Sequence, residues 1–363
     1  MSFKSVKIGK HLIELPIVQG GMGVGISWDQ LAGHVSLEGG LGVISSVGTG
    51  YYEDRIHTEK LVSERPLDAL NFYSKEALLA IFKNARKVCG NKPLACNVLY
   101  ASNDYGRIVR DSCEAGADII ITGAGLPTNM PEFTADYPDV ALVPIISSAK
   151  ALKIICKRWK KRYNRLPDGV ILEGPKSGGH QGFTYEQCTM DENQLENLVK
   201  PVVEEAKVWG GIPVFAAGGI WDKSDIDEMI ALGASGVQMG TRFIGTHECD
   251  AHENFKTVLL NAKEEDIQLM SSPVGYPARG VRSNLTGLVE ARTGPEIKCI
   301  SNCVGPCHRG VEAKEVGFCI ADRLSDAYKG DLELGLFFSG TNGYRLDELI
   351  SVKELMRKLT TGE

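Results

Sequence analysis

Three short stretches of the chain carry residue types that can do chemistry, two rich in glycine and one rich in cysteine. In the first, GPKSGGHQGF, His180 stands between glycines, after an apolar run that ends at Glu173. A histidine that titrates near neutral pH can take a proton from a carbon atom and return it. We therefore interpret His180 as a general base, against the plainer alternative of a loop histidine without a role. Glu173 is expected either to orient a ligand or to solvate the loop.

The second stretch contains two glycine turns, AAGGI and QMGT, which follow successive apolar runs one strand–helix unit apart. In a barrel of parallel strands, the turns after the seventh and eighth strands commonly bind phosphate through backbone N–H groups, helped by a helix N-terminus. We predict a phosphate site there. The GGMG run near the start of the chain lacks the G-x-G-x-x-G spacing, so it gives no support for a dinucleotide-binding domain.

The third stretch, KCISNCVGPCHRGVEAKEVGFC, holds Cys299, Cys303, Cys307 and Cys319, four of the ten cysteines. Four thiolates on a compact loop can hold an iron–sulfur cluster or a structural zinc ion. Zinc loops usually contain C-x2-C pairs, whereas three evenly spaced cysteines and a distant fourth favour a 4Fe–4S cluster over zinc or unligated thiols. His308 could replace one cysteine as a ligand, but a site with four thiolates does not require it.

Eight short runs rich in valine, isoleucine and leucine are the elements that would position these residues. They are nearly all apolar rather than alternating, as in parallel strands covered on both faces. The predicted strands are Leu15–Val18, Leu41–Val47, Leu94–Tyr100, Asp118–Thr122, Val140–Ser147, Gly169–Glu173, Pro213–Ala217 and Gly236–Thr241. Eight strand–helix units of this size are typical of a TIM (β/α)8 barrel in the α/β class, with an open doubly wound sheet as the alternative.

Apolar residues near the helical spacing predict helices between most of these strands. The predicted helices are Ser27–Glu38, Asn103–Ala115, Ser148–Tyr163, Glu192–Trp209 and Ser224–Leu232. Ser27 and Ser224 are expected to cap the helices that they begin, the latter with Asp227 in the first turn. Five glycine clusters follow predicted strand ends, on the barrel face where active sites are built. Small residues there let a ligand approach the backbone closely.

The strand–helix pattern stops after the eighth strand, which divides the chain into three parts. Residues 1–246 are predicted to form the barrel. Residues 247–345, with proline and glycine turns and the cysteine loop, are predicted to form an insert or cap. Residues 346–363, which contain most of a helix predicted over Arg345–Leu359, are expected to return to the barrel.

Charge and composition exclude several classes of function. The net charge of −6 gives no basic surface for nucleic acid, and no apolar run is long enough to span a membrane. The N-terminus lacks the apolar segment of a secretory signal peptide. We therefore expect a cytoplasmic protein whose cysteines are reduced or act as ligands. Cys96, Cys113 and Cys156 fall in apolar stretches and are expected to be buried small hydrophobic side chains.

Several of these motifs together resemble the nitronate monooxygenase family, also called 2-nitropropane dioxygenase-like, which includes FMN-dependent enoyl-acyl-carrier-protein reductases. The resemblance rests on QGGMG after the first predicted strand, Asn97 at the end of the third, SGGHQG around His180, AAGGI and QMGT, and covers roughly residues 1–245. GYPAR, the four-cysteine loop and FFSGTNGYR extend it over the whole length. They are similar to a group of bifunctional acyl-carrier-protein dehydrogenase/isomerases that combine FMN with a 4Fe–4S cluster.

The resemblance implies a role for each matching residue. His180 matches the catalytic histidine of the family, and Asn97 is expected to reach the edge of the flavin ring. The residues that would contact FMN are Gly20, Gly21, Met22, Gly23, Asn97, Ser177, Gly178, Gly179, Ala217, Gly218, Gly219, Gln238, Met239, Gly240 and Thr241. The cluster ligands would be Cys299, Cys303, Cys307 and Cys319. Nitronate monooxygenases have no such cysteine loop, so the resemblance does not by itself imply that this chain oxidises nitronates.

The activity that the resemblance implies is the oxidation of a saturated medium-chain acyl group, of the decanoyl class, carried by acyl carrier protein. His180 would remove the α-proton while a β-hydride passes to FMN. The same imidazole would then move a proton from the γ to the α carbon, which turns a trans-2 double bond into a cis-3 one. Such a reaction serves unsaturated fatty acid synthesis, and molecular oxygen is the expected final electron acceptor.

Three alternatives to this activity stay open at the level of the sequence. They are the NAD(P)H-dependent reduction of an enoyl thioester, the oxidation of alkyl nitronates, and a redox sensor without catalysis. Acyl carrier protein is acidic, so Arg279, Arg282, Arg292 and Arg309 are candidate docking residues. The oligomeric state stays open, with a homodimer among the candidates.

Overall fold

The computed structural model describes residues 3–52, 73–294, 303–305, 307 and 317–363. Its strands are β1 (Val6–Ile8), β2 (His11–Ile13), β3 (Ile17–Gln19), β4 (Gly42–Ser45), β5 (Leu94–Leu99), β6 (Ile119–Gly123), β7 (Ala141–Ile146), β8 (Val170–Glu173), β9 (Gly179–His180), β10 (Val214–Ala217), β11 (Gly236–Met239), β12 (Ile267–Met270) and β13 (Ala278–Val281). Its α-helices are Asp29–Leu37, Lys75–Cys89, Tyr105–Glu114, Met130–Phe133, Ala149–Tyr163, Leu195–Val208, Lys223–Ala231, Thr241–Ile244, Glu253–Asn261, Asn284–Glu290, Ile320–Lys329 and Val352–Thr361.

Eight parallel strands form a nearly closed barrel in the order β3–β11–β10–β8–β7–β6–β5–β4. The two outer strands, β3 and β4, meet through a parallel bridge between Val18 and Leu41. The backbone N–H of Gln19 donates to the carbonyl of Leu41 at 3.0 Å, which strengthens this closure. The predicted eight-stranded α/β barrel is confirmed, and an open sheet is excluded because its first and last strands would lie apart.

Apolar side chains from alternate strand positions fill the inside of the barrel, because successive side chains of a strand point to opposite faces. Val43, Ala95, Val143, Ile171 and Phe215 belong to this buried interior cluster. The antiparallel hairpin of β1 and β2, which the sequence analysis did not predict, adds its buried residues to the same cluster. The barrel is therefore a packed core, and a ligand has room only at its mouth.

Both predicted helix caps are wrong, because nearby carboxylates take their places. The Ser27 hydroxyl accepts from the backbone N–H of Met22 at 2.8 Å, and the Asp250 carboxylate reaches the start of the first helix instead. The second helix is capped by Asp222, whose carboxylate accepts from the backbone N–H of Ser224 at 2.9 Å. Aspartate caps a helix as well as serine does, so the sequence did not distinguish the two candidates.

Residues after the barrel build a small second sheet against the histidine loop. Strand β13 pairs antiparallel with β12 on one side and with β9 on the other. In the second pairing, Ala278 lies opposite His180 and Arg279 lies opposite Gly179. The helix Val352–Thr361 packs against the helix Asp29–Leu37 of the barrel. The three-part division of the chain stays a prediction.

The scattered cysteines behave as small hydrophobic residues. Cys96, Cys113 and Cys156 are buried as expected, and so are Cys89, Cys188 and Cys249. Burial raises the pKa of the Cys96 thiol to about 12, which keeps it protonated and unreactive. A helix able to cross a membrane is not found in the part of the chain that the structure describes.

Candidate active site

A ring of small and polar residues closes the barrel at the carboxyl ends of its strands. Alternation along each strand extends the interior cluster from Ala95 to Asn97 and from Ile171 to Glu173. The register then places Glu173 beside Ala217, and Ala217 beside Gln238. This ring faces the barrel mouth, so a flat ligand lying across the mouth would contact Asn97 and Gln238.

The glycines after β3 lie next to Asn97 and to the turn after β11. A side chain at Gly21 would place its Cβ 2.3 Å from the Cβ of Asn97, so only glycine fits there. The backbone N–H of Gly20 donates to the carbonyl of Met239 at 2.8 Å, and Met22 lies beside Gly240. The structure therefore brings the predicted residues of the first, third and eighth strand ends together.

The paired glycine turns after β10 and β11 also converge, and a downstream segment joins them. The backbone N–H of Gly340 donates to the Thr241 hydroxyl at 2.8 Å, and the amide of Asn342 donates to the carbonyl of Gly219. A Cβ at Gly178 would lie 2.7 Å from the backbone nitrogen of Gly340. The helix that follows Gly240 is a single turn, Thr241–Ile244. Sequence reasoning missed residues 340–342 as part of this site, although it singled out the FFSGTNGYR motif that contains them.

Two of the buried polar atoms that have no hydrogen-bond partner within the described residues belong to residues predicted to contact FMN. They are the hydroxyl oxygen of Ser177 and the side-chain carbonyl oxygen of Gln238. Buried polar atoms in folded proteins are nearly always hydrogen-bonded, so these two indicate a polar ligand. Both residues belong to the predicted FMN site, and the residues present therefore fit that cofactor.

His180 is held from one side by a residue far along the chain. The Nε2 atom of its ring lies 2.7 Å from the hydroxyl oxygen of Ser272, which follows β12. The Phe338 ring packs edge-on against the imidazole, with 5.4 Å between ring centroids. Desolvation by this surrounding protein lowers the pKa of His180 to about 4. At neutral pH the imidazole is therefore uncharged and can accept a proton.

Glu173 is an ionisable residue among the small and polar residues that close the barrel mouth. Desolvation raises the pKa of its carboxyl group to about 7, so the group is partly protonated at neutral pH. The two roles predicted for Glu173, orienting a ligand and solvating the loop, differ in where its side chain lies. Its position, two residues beyond Ile171 on the inner face of β8, favours a ligand-facing carboxyl group over one that solvates the loop.

Arg279, one of the candidate docking residues, is buried and lies beneath the histidine loop. Its guanidinium donates to the carbonyl of Pro175 at 2.8 Å, and desolvation lowers its pKa. A buried side chain cannot meet a protein partner, so its assignment as a docking residue is wrong. Arg282 and Arg292 are exposed, whereas Arg309 lies outside the described residues.

The cysteine loop docks beside the same mouth. The backbone N–H of Gly305 donates to the carbonyl of Ala101 at 2.9 Å, just after β5. Burial raises the pKa of the Cys319 thiol, and nearby Cys303 adds to this shift. Cys307 packs against the apolar cluster that contains Phe318.

These cysteines do not by themselves make a metal site in the structure. Among the described residues, no three histidine, cysteine, aspartate or glutamate side chains form a group that could hold a metal ion. Cys299 and His308 lie outside those residues. The 4Fe–4S cluster therefore stays a prediction.

Comparisons with known proteins agree with this architecture. The chain is 28% identical over 283 residues to a probable nitronate monooxygenase of Staphylococcus saprophyticus, covering 75% of this chain and 76% of that one. It is similar to the structure of FabK from Thermotoga maritima, with a TM-score of 0.71 and 26% identity over 96% of this chain and 92% of that one.

A nitroalkane oxidase structure from Streptomyces ansochromogenes shares the fold, with a TM-score of 0.67 at 19% identity over 97% of this chain and 96% of that one. The family model described as "Nitronate monooxygenase" matches residues 4–362. Because this match spans nearly the whole length, the chain belongs to the nitronate monooxygenase family of FMN-dependent oxidoreductases.

Proposed function

We propose that this protein oxidises a saturated medium-chain acyl thioester on acyl carrier protein to the trans-2-enoyl thioester and isomerises it to the cis-3 form. The observation that carries the proposal is the placement of His180, which follows β8 and is held by Ser272 through Nε2 and by the Phe338 ring. Desolvation lowers its pKa, so the imidazole is uncharged at neutral pH. The site thus starts its cycle with a base.

The proposal and its two closest alternatives differ in the proton transfer that each requires of His180. Reduction of an enoyl thioester, the reaction of the FabK type, ends with a proton delivered to the α carbon and needs a protonated donor. A nitronate is already a carbanion, so its oxidation needs no base and is favoured by a cationic partner. A neutral imidazole is the form that the removal of an α-proton requires.

FMN, when bound, supplies the acceptor for the two electrons that leave with the β-hydrogen of the acyl chain. Ser177 and Gln238 offer it buried polar atoms, and the turns at Gly218 and Gly240 offer it backbone that a phosphate can approach. The α-proton goes to the imidazole of His180, which must release it to water before the isomerisation. In the isomerisation, the same imidazole takes a proton from the γ carbon and returns one to the α carbon, so this step needs no oxidant.

Anaerobic mixing of the flavin-loaded protein with three substrates tests the proposal. A decanoyl thioester of acyl carrier protein is expected to bleach the flavin within a single turnover, because the substrate itself supplies the electrons. An enoyl thioester should leave the flavin oxidised, and NAD(P)H should not bleach it rapidly. The visible flavin band, followed by stopped-flow absorbance, is the measurement.

Each contrary outcome identifies a different alternative. Rapid bleaching by NAD(P)H, with none by the saturated thioester, would assign the reductase activity. Turnover of an alkyl nitronate alone would assign the nitronate activity. Free decanoate is the matched control, because it lacks the thioester that makes the α-proton acidic.

We propose, separately, that the cysteine loop binds a 4Fe–4S cluster. Support comes from the spacing of Cys299, Cys303, Cys307 and Cys319, together with the proximity of Cys303 to Cys319. The protein purified without oxygen is expected to contain about four iron and four sulfide per chain. The C319S variant should lose most of its iron and sulfide. The C249S variant, which changes a buried cysteine outside the cysteine loop, should keep them. Zinc in place of iron would contradict the cluster.

A further inference from the structure

We propose that Ser272 is a positioning residue that holds the Nε2 edge of His180, so that Nδ1 is the nitrogen that exchanges protons with the substrate. Its oxygen accepts the Nε2–H proton while His180 acts as a base. This inference rests on the proposed proton transfer, although its principal test does not need the substrate.

The contacts of the imidazole leave one ring nitrogen available. Nε2 lies 2.7 Å from the hydroxyl oxygen of Ser272, and Phe338 covers the ring edge-on. Nδ1 has no hydrogen-bond partner within the part of the chain that the structure describes. Nδ1 is therefore the ring nitrogen that remains for a substrate, because Nε2 is already engaged.

Burial and the surrounding strand pairs fix the position of Ser272. Its side chain is buried, in the segment that joins β12 to β13. Strand β13 pairs with β9, which carries His180, and the backbone N–H of Gln181 donates to the carbonyl of Pro277 at 2.8 Å. His180 lies on a strand of this small sheet, and Ser272 lies in the segment that joins two of its strands. The sheet therefore fixes the position of both partners of the serine–histidine contact.

An acceptor at Nε2 matters most when His180 carries a proton. An imidazolium that is partly shielded from water has two N–H donors, and a shielded one left without an acceptor raises the free energy of the charged form. In the Nε2–H tautomer that we propose, the Ser272 oxygen supplies that acceptor before and after proton transfer. Arg279 and Glu173 lie on the neighbouring β13 and β8, but burial alone accounts for the lowered pKa of His180. The hydroxyl therefore offsets part of the cost of forming the imidazolium.

The tautomer of His180 can be read by nitrogen NMR of the full-length protein labelled only in its histidine rings. The chain has seven histidines, and the H180Q variant identifies the signal of His180. We expect the Nε2–H tautomer in the native protein at neutral pH. In S272A the signal should move towards a mixture of the two tautomers, and S272T should restore it. An Nδ1–H tautomer in the native protein, or an unchanged signal in S272A, would overturn the inference.

Kinetics supply the second readout. S272A is expected to slow flavin reduction by the decanoyl thioester about 10- to 100-fold. It should also move the acid limb of the pH profile to lower pH, because the imidazolium loses an acceptor. S272T should recover most of the rate. The matched control is S271A, since Ser271 is exposed and contacts Tyr185 rather than His180.

The two readouts separate the failure of this inference from the failure of the proposed function. If no acyl thioester reduces the flavin of the native protein, the proposed function is wrong, and the NMR signal still decides the role of Ser272. If the thioester reacts and S272A reacts at the native rate, Ser272 does not position the base.

Discussion

The H180Q variant is expected to reduce its flavin with a decanoyl thioester about a thousandfold more slowly than the native protein. General base catalysis contributes on the order of 10²–10⁴ to such rates. Glutamine keeps a side chain able to hydrogen-bond Ser272, but it cannot take the α-proton. Stopped-flow absorbance of the flavin band measures the rate, and isomerisation of a synthetic trans-2-enoyl thioester should be lost in parallel.

Two controls are needed to interpret the rate of the H180Q variant. The flavin content of H180Q should match that of the native protein, because the residues assigned to FMN are unchanged. The H34Q variant is the matched control, since His34 bonds the carbonyl of Gln30 within a barrel helix, away from the mouth. A rate for H180Q within a few-fold of the native rate would remove His180 as the base.

The G218A variant is expected to weaken FMN binding about 10- to 100-fold. Gly218 has a φ of +103°, in a region that residues with a side chain rarely adopt. A Cβ there would also lie 2.8 Å from the carbonyl oxygen of Gly174, which is backbone and cannot swing away. The turn must shift, at a cost of about 1–3 kcal/mol, and its N–H groups then leave the phosphate. Titration of the apoprotein with FMN, followed by flavin fluorescence, gives the dissociation constant.

Gly287 supplies the matched control for this substitution. It lies in the helix Asn284–Glu290, and a Cβ there would meet nothing within 4 Å. The G287A variant should bind FMN as the native protein does and unfold at a slightly higher temperature, because alanine favours helix. Equal FMN affinity in G218A and the native protein would show that the phosphate lies elsewhere.

The barrel could be predicted from the sequence because its signals are local. Each parallel strand is a short apolar run such as Leu94–Leu99, and glycine clusters mark the turns after five of the eight predicted strands. The helix Lys75–Cys89 has an equally local signal, a Ser74 cap that accepts from the backbone N–H of Ala77 at 3.2 Å. It was not among the predicted helices.

The second sheet could not be predicted in the same way, because it depends on contacts between distant residues. Strand β9 is two residues long, too short for any periodicity, and it exists only because Ala278 and Arg279 lie opposite it. For the same reason, the sequence identified His180 as a candidate base but gave no indication of Ser272. Gly340 likewise reaches Thr241 across 99 residues of chain.

The pairing of β9 with β13 also sets an order of events during synthesis of the chain. A ribosome adds roughly 5–20 residues per second, so His180 emerges about 5–20 s before the strand that pairs with it. The barrel strands are complete at Met239, whereas Phe338 follows β13 along the chain. We expect the nascent barrel to close first, with its histidine loop unpaired, so that the base acquires its orientation only after β13 and Phe338 have been synthesised.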